Sequence, residues 1–517
     1  MDASTQNDAA IQERVFAYLT DPAVHPGTLR IDTHAASVFL EGDRALKIKR
    51  AVHFPFLDYS TLEKRKAACE EEIRINRPFA PRIYRGVVAI TQDPDGLLSV
   101  DGKGVPIEFA VEMSRFDEQQ TLDHLSKAGP LDAKLASDIA DAISVSHAIA
   151  PGADAARWIK SIPALIDSNT AGLQNGARFP ASEIEDLGRT SHEIFACVRG
   201  LLEERGRSGH VRRCHGDLHL ANIVLIADRP VLFDAIEFDP TIASVDVLYD
   251  LAFPLMDLLR YGQPLAANVV LNRYLGTTSV ENLEGLAALA LFLSMRAAIR
   301  AQVLIARLER PNADHAGSLA DAHEYFKLAQ SLIRPPAPRL IAIGGLSGTG
   351  KSVLARALAP FVAPQPGAVV FRSDVLRKQL FGVGETERLP ADAYRREAGE
   401  QVYATLLRRA NSVLAHGHSA IVDAVFAQED ERTAVAKIAS ELRVPLSAFF
   451  LVADLAIRQA RVGHRQGDAS DATPEVAALQ EQYSIGSVGW TIIDASGTPE
   501  QTLEQCRSRI ADKGQAI

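Results

Sequence analysis

The 517-residue chain holds little cysteine, and no two of its cysteines lie close together. Its four thiols, Cys69, Cys197, Cys214 and Cys506, are scattered along the length, which argues against a disulfide framework or a zinc ribbon and leaves them as reduced thiols. Positive charge is not in surplus: 55 Lys and Arg stand against 65 Asp and Glu, a formal charge of −10. That balance lacks the overall field of a non-specific nucleic-acid binder, so a nucleic-acid partner is not expected. Long apolar runs are missing as well. The richest, Leu286–Met295, is bounded by Glu284 and Arg296 and falls short of the ~20 apolar residues that cross a bilayer, so a buried helix is expected there and no membrane partner. The opening MDASTQNDAAIQERV carries acids and amides where a leader peptide needs a basic and then an apolar stretch, and the expected location is cytoplasmic. Internal repeats and low-complexity tracts are absent.

What is present is ordinary globular composition, 47% hydrophobic and 23% charged, in a length that suggests about three domains or large lobes at roughly 150 residues each. The clearest break is Arg334-Pro335-Pro336-Ala337-Pro338-Arg339, whose prolines cannot continue a helix and favour an extended connector. Beyond it, LIAIGG, AVVFRSD, SAIVDAVF and PLSAFFLVAD are short apolar runs separated by helical stretches, the texture of a parallel α/β sheet. Before it, SVFL and RALKIKR flank Glu41-Gly42-Asp43 as a hairpin, the charged segment STLEKRKAACEEEIRINR reads as a helix, and RGVVAIT with VPIEFAVEMSRF forms a second strand pair. From Leu122 onward the pattern is mostly helical, broken by ANIVLIADRPVLFDAIEF. The expected plan is an α+β region with a small β-rich lobe and a larger helical lobe, then an α/β domain.

Residues 214–238 concentrate polar side chains: His215-Gly216-Asp217-Leu218-His219-Leu220-Ala221-Asn222, then Asp234 after a short hairpin. Phosphoryl transfer needs this combination, an Asp to accept the proton of the attacking hydroxyl and an Asn with a second Asp to hold Mg²⁺ against the nucleotide phosphates. A helical His215/His219 metal pair is the rival, but no Glu follows as in H-E-x-x-H and no third ligand is evident. The stretch resembles the catalytic loop H-G-D-x-H-x-x-N of the aminoglycoside phosphotransferase and choline kinase group. The resemblance implies a bilobal protein-kinase-like fold in which Asp217 is the catalytic base, Asn222 and Asp234 are the Mg²⁺ ligands, His215 braces the loop and Asp250 lies beneath it. A phosphate-binding lysine is then expected in the small lobe. Lys47 is placed as the lysine of the V-A-I-K strand pattern, with Lys49 on the same face as the alternative, and its acidic partner is Glu72 from Glu70-Glu71-Glu72. The segment Thr33-His34-Ala35-Ala36-Ser37-Val38 departs from the pattern, having no glycine where G-x-G-x-x-G covers the phosphates.

A second constellation follows LIAI. Gly345-Leu346-Ser347-Gly348-Thr349-Gly350-Lys351-Ser352 is a full G-x-x-x-x-G-K-S between a strand and a helix, so backbone N–H groups converge on phosphates, Lys351 reaches the β/γ oxygens and Ser352 ligates Mg²⁺. At the end of the next strand Asp374 and Arg377 form D-x-x-R, a carboxylate to take a hydroxyl proton and a guanidinium to clamp an acceptor anion. Arg458, Arg461 and Arg465 fall at i, i+3 and i+7 ahead of a glycine-containing stretch, as a lid of arginines or a solvated basic face would. Asp423 ends another apolar strand and suits Mg²⁺ through water. This half resembles small-molecule and polynucleotide P-loop kinases, including chloramphenicol phosphotransferase and the zeta toxins, and domains of AAA-family ATPase type.

Together the resemblances imply a bacterial fusion. A helical extension (1–29) precedes a phosphotransferase-like region (30–334, small lobe to about 117 and large lobe from about 118), a linker (335–338) and a P-loop domain (339–517). The expected activity is ATP- and Mg²⁺-dependent phosphate transfer to hydroxyls of small-molecule acceptors at two nucleotide sites. Alternatives make the P-loop domain an ATPase switch acting on the first region, or a nucleic-acid end kinase.

Overall fold

Two short strands rich in apolar residues flank Glu41-Gly42-Asp43, and the chain folds there as a hairpin: Ala36–Glu41 pairs antiparallel with Arg44–Lys49. In the computed structural model, which describes residues 3–33, 35–54, 57–308, 315–465 and 467–511, this hairpin forms the second and third strands of a six-stranded antiparallel sheet. Its order is Leu29–Asp32, Ala36–Glu41, Arg44–Lys49, Val105–Ser114, Tyr84–Gln92, Leu98–Val100. The charged helix Leu62–Asn76 starts at Thr61, whose hydroxyl accepts from the Lys64 N–H. Its Cys69 packs with Ile83, Tyr84, Val111 and Val224. Burial pushes that thiol up to about 12, as suits a packing residue. The other sheet face is covered by the helix Ala3–Leu19 through Val15, Phe16 and Leu19.

The described chain forms two compact units by packing, Met1–Ile162 with Glu203–Asp257, and Pro163–Leu202 with Leu258–Ile517. In the first, the larger lobe carries the hairpin Ile223–Ile226/Arg229–Leu232 and the strand pair Val211–Arg213/Ser244–Asp246. Between these ladders runs the segment from Cys214 to Asn222.

In the second unit the four apolar runs are parallel strands, joined by a fifth, Thr491–Asp494. The order is Val369–Arg372, Ala420–Asp423, Leu340–Gly345, Leu446–Val452, Thr491–Asp494. The central strand Leu340–Gly345 is buried along its whole length, which is why it reads as an unbroken apolar run. The proline connector 335–338 has no regular structure. Helical residues 282–307 are long and apolar enough to cross a membrane, yet 72% of their apolar window is buried inside the protein, as in a core helix. The fold is thus an α+β region built on a six-stranded antiparallel sheet, followed by an α/β domain built on a five-stranded parallel sheet.

Candidate functional site

The residues of the His215–Asn222 loop are held from below. Asp250 accepts from the backbone N–H groups of His215 at 3.3 Å and Gly216 at 2.8 Å, and lies 3.1 Å from Nε2 of His147. Gly216 has φ of 84°, and a Cβ there would stand 2.8 Å from Cβ of Ala243, so only glycine turns the chain at this point. His215 is buried and donates through Nε2 to Phe233 O at 2.9 Å. Burial pulls its pKa below the ordinary value, so the ring braces the loop as a neutral group. Asn222 donates through Nδ2 to the carbonyl of Asp217 at 2.8 Å, which folds the loop back on itself. The Asp217 side chain stays 41% exposed, with Nε2 of His219 at 3.5 Å.

Asp234 comes to this loop from the far side of the hairpin. Its φ of 61° is unusual for a residue with a side chain, a strain of the kind found where function fixes the backbone. Two buried groups hold it there. Asn76 pins Ala235 by accepting from its N–H at 2.7 Å and donating to its carbonyl at 3.2 Å, and Tyr84 Oη accepts from the Asp234 N–H at 3.0 Å. Lys47 Nζ stands 2.9 Å from Oε1 of Glu72 and 2.5 Å from Oδ1 of Asp234. Burial favours loss of the Lys47 proton, but Asp234, Glu72 and Glu237 outweigh it and raise its pKa well above that of an ordinary lysine. Burial likewise works against the Asp234 charge, and Lys47 more than restores it. Lys49 takes the other oxygen of Glu72 at 2.5 Å. Of the glycine-free covering segment, His34 lies outside the described residues. Ala36 to Val38 already belong to the strand Ala36–Glu41, and Thr33 Oγ1 accepts from the Ala36 N–H at 2.9 Å.

In the second unit Gly345 to Ser352 wraps from the end of the central strand into the helix Lys351–Leu358. Gly348 has φ of 86°, and a Cβ there would meet the Arg458 carbonyl at 2.5 Å, so the loop needs glycine to pass that backbone. Leu346 O receives the Thr349 hydroxyl at 2.8 Å and Lys351 Nζ at 3.2 Å, and Gln480 Oε1 accepts from Ser347 N–H at 2.7 Å. Ser352 donates to Asp423 Oδ2 at 2.5 Å. Burial lowers the Lys351 pKa; the charges of Asp423 and Asp374 oppose this, while Arg465 and Arg372 add to it. Burial raises the Asp423 pKa against the pull of Lys351 and Arg372. One electrostatic neighbourhood therefore holds Lys351, Ser352, Asp423, Asp374 and Arg465.

The arginines diverge. The helix Leu455–Gly463 stops before Arg465, so the three do not share one helical face. Arg458 is buried, pairs with Glu481 and reaches Ser347 O at 3.4 Å. Arg461 donates to the carbonyls of Ala495 and Gly497, each at 2.8 Å. Arg465 lies 3.7 Å from Asp468. Arg377 donates to Ala393 O at 2.6 Å and lies over the Tyr394 ring. Residues beyond the sequence-derived set also appear. Arg372 is clamped by Asp468 at 3.0 Å and approaches Asp423 at 3.5 Å, and Asp471 gathers Lys378, the Leu389 N–H and the Tyr394 hydroxyl. Arg372 stands two positions before Asp374 and could have been picked from charge alone. Asn76 and Tyr84 leave no signal in the sequence.

Among known proteins, the chain is 31% identical over 497 residues to uncharacterized proteins of Mycobacterium tuberculosis and Mycobacterium bovis, covering 92% of this chain and 93% of theirs. The chain belongs to their family. Within this family member, residues 340–484 match the family described as AAA domain. Among solved structures, a choline/ethanolamine kinase family protein from Mesorhizobium loti is similar over 63% of this chain and 99% of its own, at 14% identity and a TM-score of 0.37. A gluconokinase from Sinorhizobium meliloti is similar over 34% and 93%, at 20% identity and a TM-score of 0.25.

Proposed function

We propose that this protein is a cytoplasmic, ATP-dependent phosphotransferase with two nucleotide sites, each passing the γ-phosphate to a hydroxyl of a small-molecule acceptor. The observation that carries the reading is that each unit gathers a lysine, a carboxylate of the kind that accepts a proton and a set of hard oxygen donors. In the first site Lys47, paired with Glu72, binds nucleotide phosphates, and Asp217 accepts the hydroxyl proton as the acceptor oxygen bonds to phosphorus and ADP departs. In the second, the amides of Gly345 to Ser352 and Lys351 cradle the phosphates, Asp374 is the base and Arg377 orients the acceptor. Arg458, Arg461 and Arg465 belong to this nucleotide site, the first two by fixing its loops.

The donors fit Mg²⁺. Asn222 with Asp234, and Ser352 with Asp423, present amide, hydroxyl and carboxylate oxygens, the ligands this hard cation takes. Asp234 is 43% exposed, so its second oxygen is accessible. Bound there, the ion would neutralise charge on the transferring phosphate. The division into regions 1–29, 30–334 (lobes meeting near 117), 335–338 and 339–517 forms part of the proposal.

The test is transfer of labelled γ-phosphate into a metabolite extract by wild type, Asp217→Asn and Asp374→Asn. Each variant should lose a different labelled product. Release of free phosphate alone, at one rate in all three proteins, would favour a nucleotide-driven switch and remove the kinase assignment.

A further inference from the structure

The first site contains more charge than phosphate transfer requires. Asp234, Lys47, Glu72, Lys49 and Glu237 alternate in sign along one chain of contacts. Lys47 bridges Asp234 and Glu72, and Lys49 bridges Glu72 and Glu237, so Glu72 gives one oxygen to each lysine. Both ends return to the same short segment, Asp234-Ala235-Ile236-Glu237. The inner half is closed from water: Glu72 is 0% exposed, Lys49 2% and Glu237 8%. Tyr59, itself buried, donates its hydroxyl to the same Glu237 oxygen at 2.9 Å, and its ring lies 5.6 Å from Lys49 Nζ. The outer half is more open to water, with the side chains of Lys47 and Asp234 14% and 43% exposed.

This asymmetry matters when nucleotide enters. On the proposed function, on which this inference rests, nucleotide phosphates take hold of Lys47 and Asp234 turns to the cation, so the contact between those two must loosen. Glu72 then has to keep Lys47 in place while remaining buried. A carboxylate with one lysine leaving its station and nothing on the other oxygen would be an uncompensated buried charge, driven to re-pair. Lys49 prevents this by neutralising the second oxygen, and it cannot follow Lys47 because Glu237 and Tyr59 hold it from behind.

We infer that Lys49 and Glu237, steadied by Tyr59, are positioning residues that fix Glu72, and through it Lys47, as the nucleotide separates Lys47 from Asp234. A buried pair that served packing alone would contribute to thermal stability and leave nucleotide affinity in the folded protein untouched.

The experiment uses the full chain carrying Lys351→Ala, which silences the P-loop site, and titrates AMP-PNP with Mg²⁺ by calorimetry well below the melting temperature. Lys49→Met and Glu237→Gln should each weaken the analogue about ten- to a hundredfold, the scale of a lost charge-assisted contact. Tyr59→Phe should cost about threefold, the lower end of a neutral hydrogen bond. Glu237→Gln preserves volume, and it alone decides the matter if Lys49→Met does not fold. Parental affinity in folded Glu237→Gln, with only the melting temperature lowered, overturns the inference. Lys47→Met separates the two levels. If it abolishes binding, the nucleotide reading stands whatever happens at Glu237. If it binds like the parent, that reading falls first and the positioning role falls with it.

Discussion

At the residue scale the loop from His215 to Asn222 is the most legible turn of the chain because its parts are local. Asp217 and Asn222 are five apart, and one turn brings Nδ2 to the Asp217 carbonyl. Lys47 and Lys49 could not be separated in the same way, since strand alternation puts both on one face. Only the return of residues 234–237 distinguishes them, by giving Asp234 to one and Glu237 to the other. The role proposed for Asp217 predicts that Asp217→Asn, which keeps the shape and removes the proton acceptor, lowers transfer at the first site by ~10²–10⁴ with little change in nucleotide affinity. Steady-state kinetics with a labelled acceptor from the extract checks this, and unchanged turnover would take Asp217 out of the mechanism. Arg377 tests the second site differently. Losing a charged hydrogen bond to an acceptor costs ~1.5–3 kcal/mol, so Arg377→Ala should raise the acceptor KM roughly ten- to 150-fold. If the domain only hydrolyses ATP, the variant should keep the parental rate.

Whole elements were legible where period and punctuation agreed. The Glu41-Gly42-Asp43 hairpin and the run from Leu340 to Ser352 each join a clear strand pattern to a residue that only one kind of turn accepts. The last parallel strand was not, because Thr491–Asp494 is short and buries little besides Ile493. The arginine helix misled in its length: the i, i+3, i+7 spacing continues to Arg465, but Gly463 ends the helix. Equally hidden was the partner of the sheet edge. Within the second unit the helix Pro264–Thr277 lies along Val369–Arg372 and completes its ladder with side chains. Asn272 accepts from Val370 N–H at 2.7 Å and donates to Ala368 O at 3.1 Å, and Asn268 donates to the same carbonyl at 3.1 Å. An asparagine amide supplies the donor and acceptor that a neighbouring strand would have offered. Asn272→Ala should therefore leave the Val370 amide without its partner and destabilise the unit by ~1–3 kcal/mol. Hydrogen exchange at residues 369–377 reads this directly, and parental protection of Val370 would show that the edge does not depend on Asn272.

At the scale of the molecule, sequence punctuation and packing answer different questions. The prolines at 335–338 mark where one chemical motif ends and another can begin. Packing, by contrast, groups Leu258–Ile333 with the P-loop sheet in one unit. A chain cut at the prolines separates Asn268 and Asn272 from the strand they complete, whereas a chain beginning at 258 keeps them. Every residue proposed to touch nucleotide in the second site lies between Gly345 and Arg465, so both pieces carry the whole cradle. The expected difference is thus in stability and association rather than in intrinsic affinity. The 339–517 piece should melt lower than the 258–517 piece and self-associate through its uncovered strand edge. Its folded fraction should bind Mg·AMP-PNP with the same Kd. Melting curves, light scattering and calorimetry on the two pieces separate these quantities. Equal melting temperatures with both pieces monomeric would mean that the helix is a neighbour of the sheet and no part of its support. A weaker Kd in a fully folded 339–517 piece would instead place this helix within the nucleotide site's own machinery.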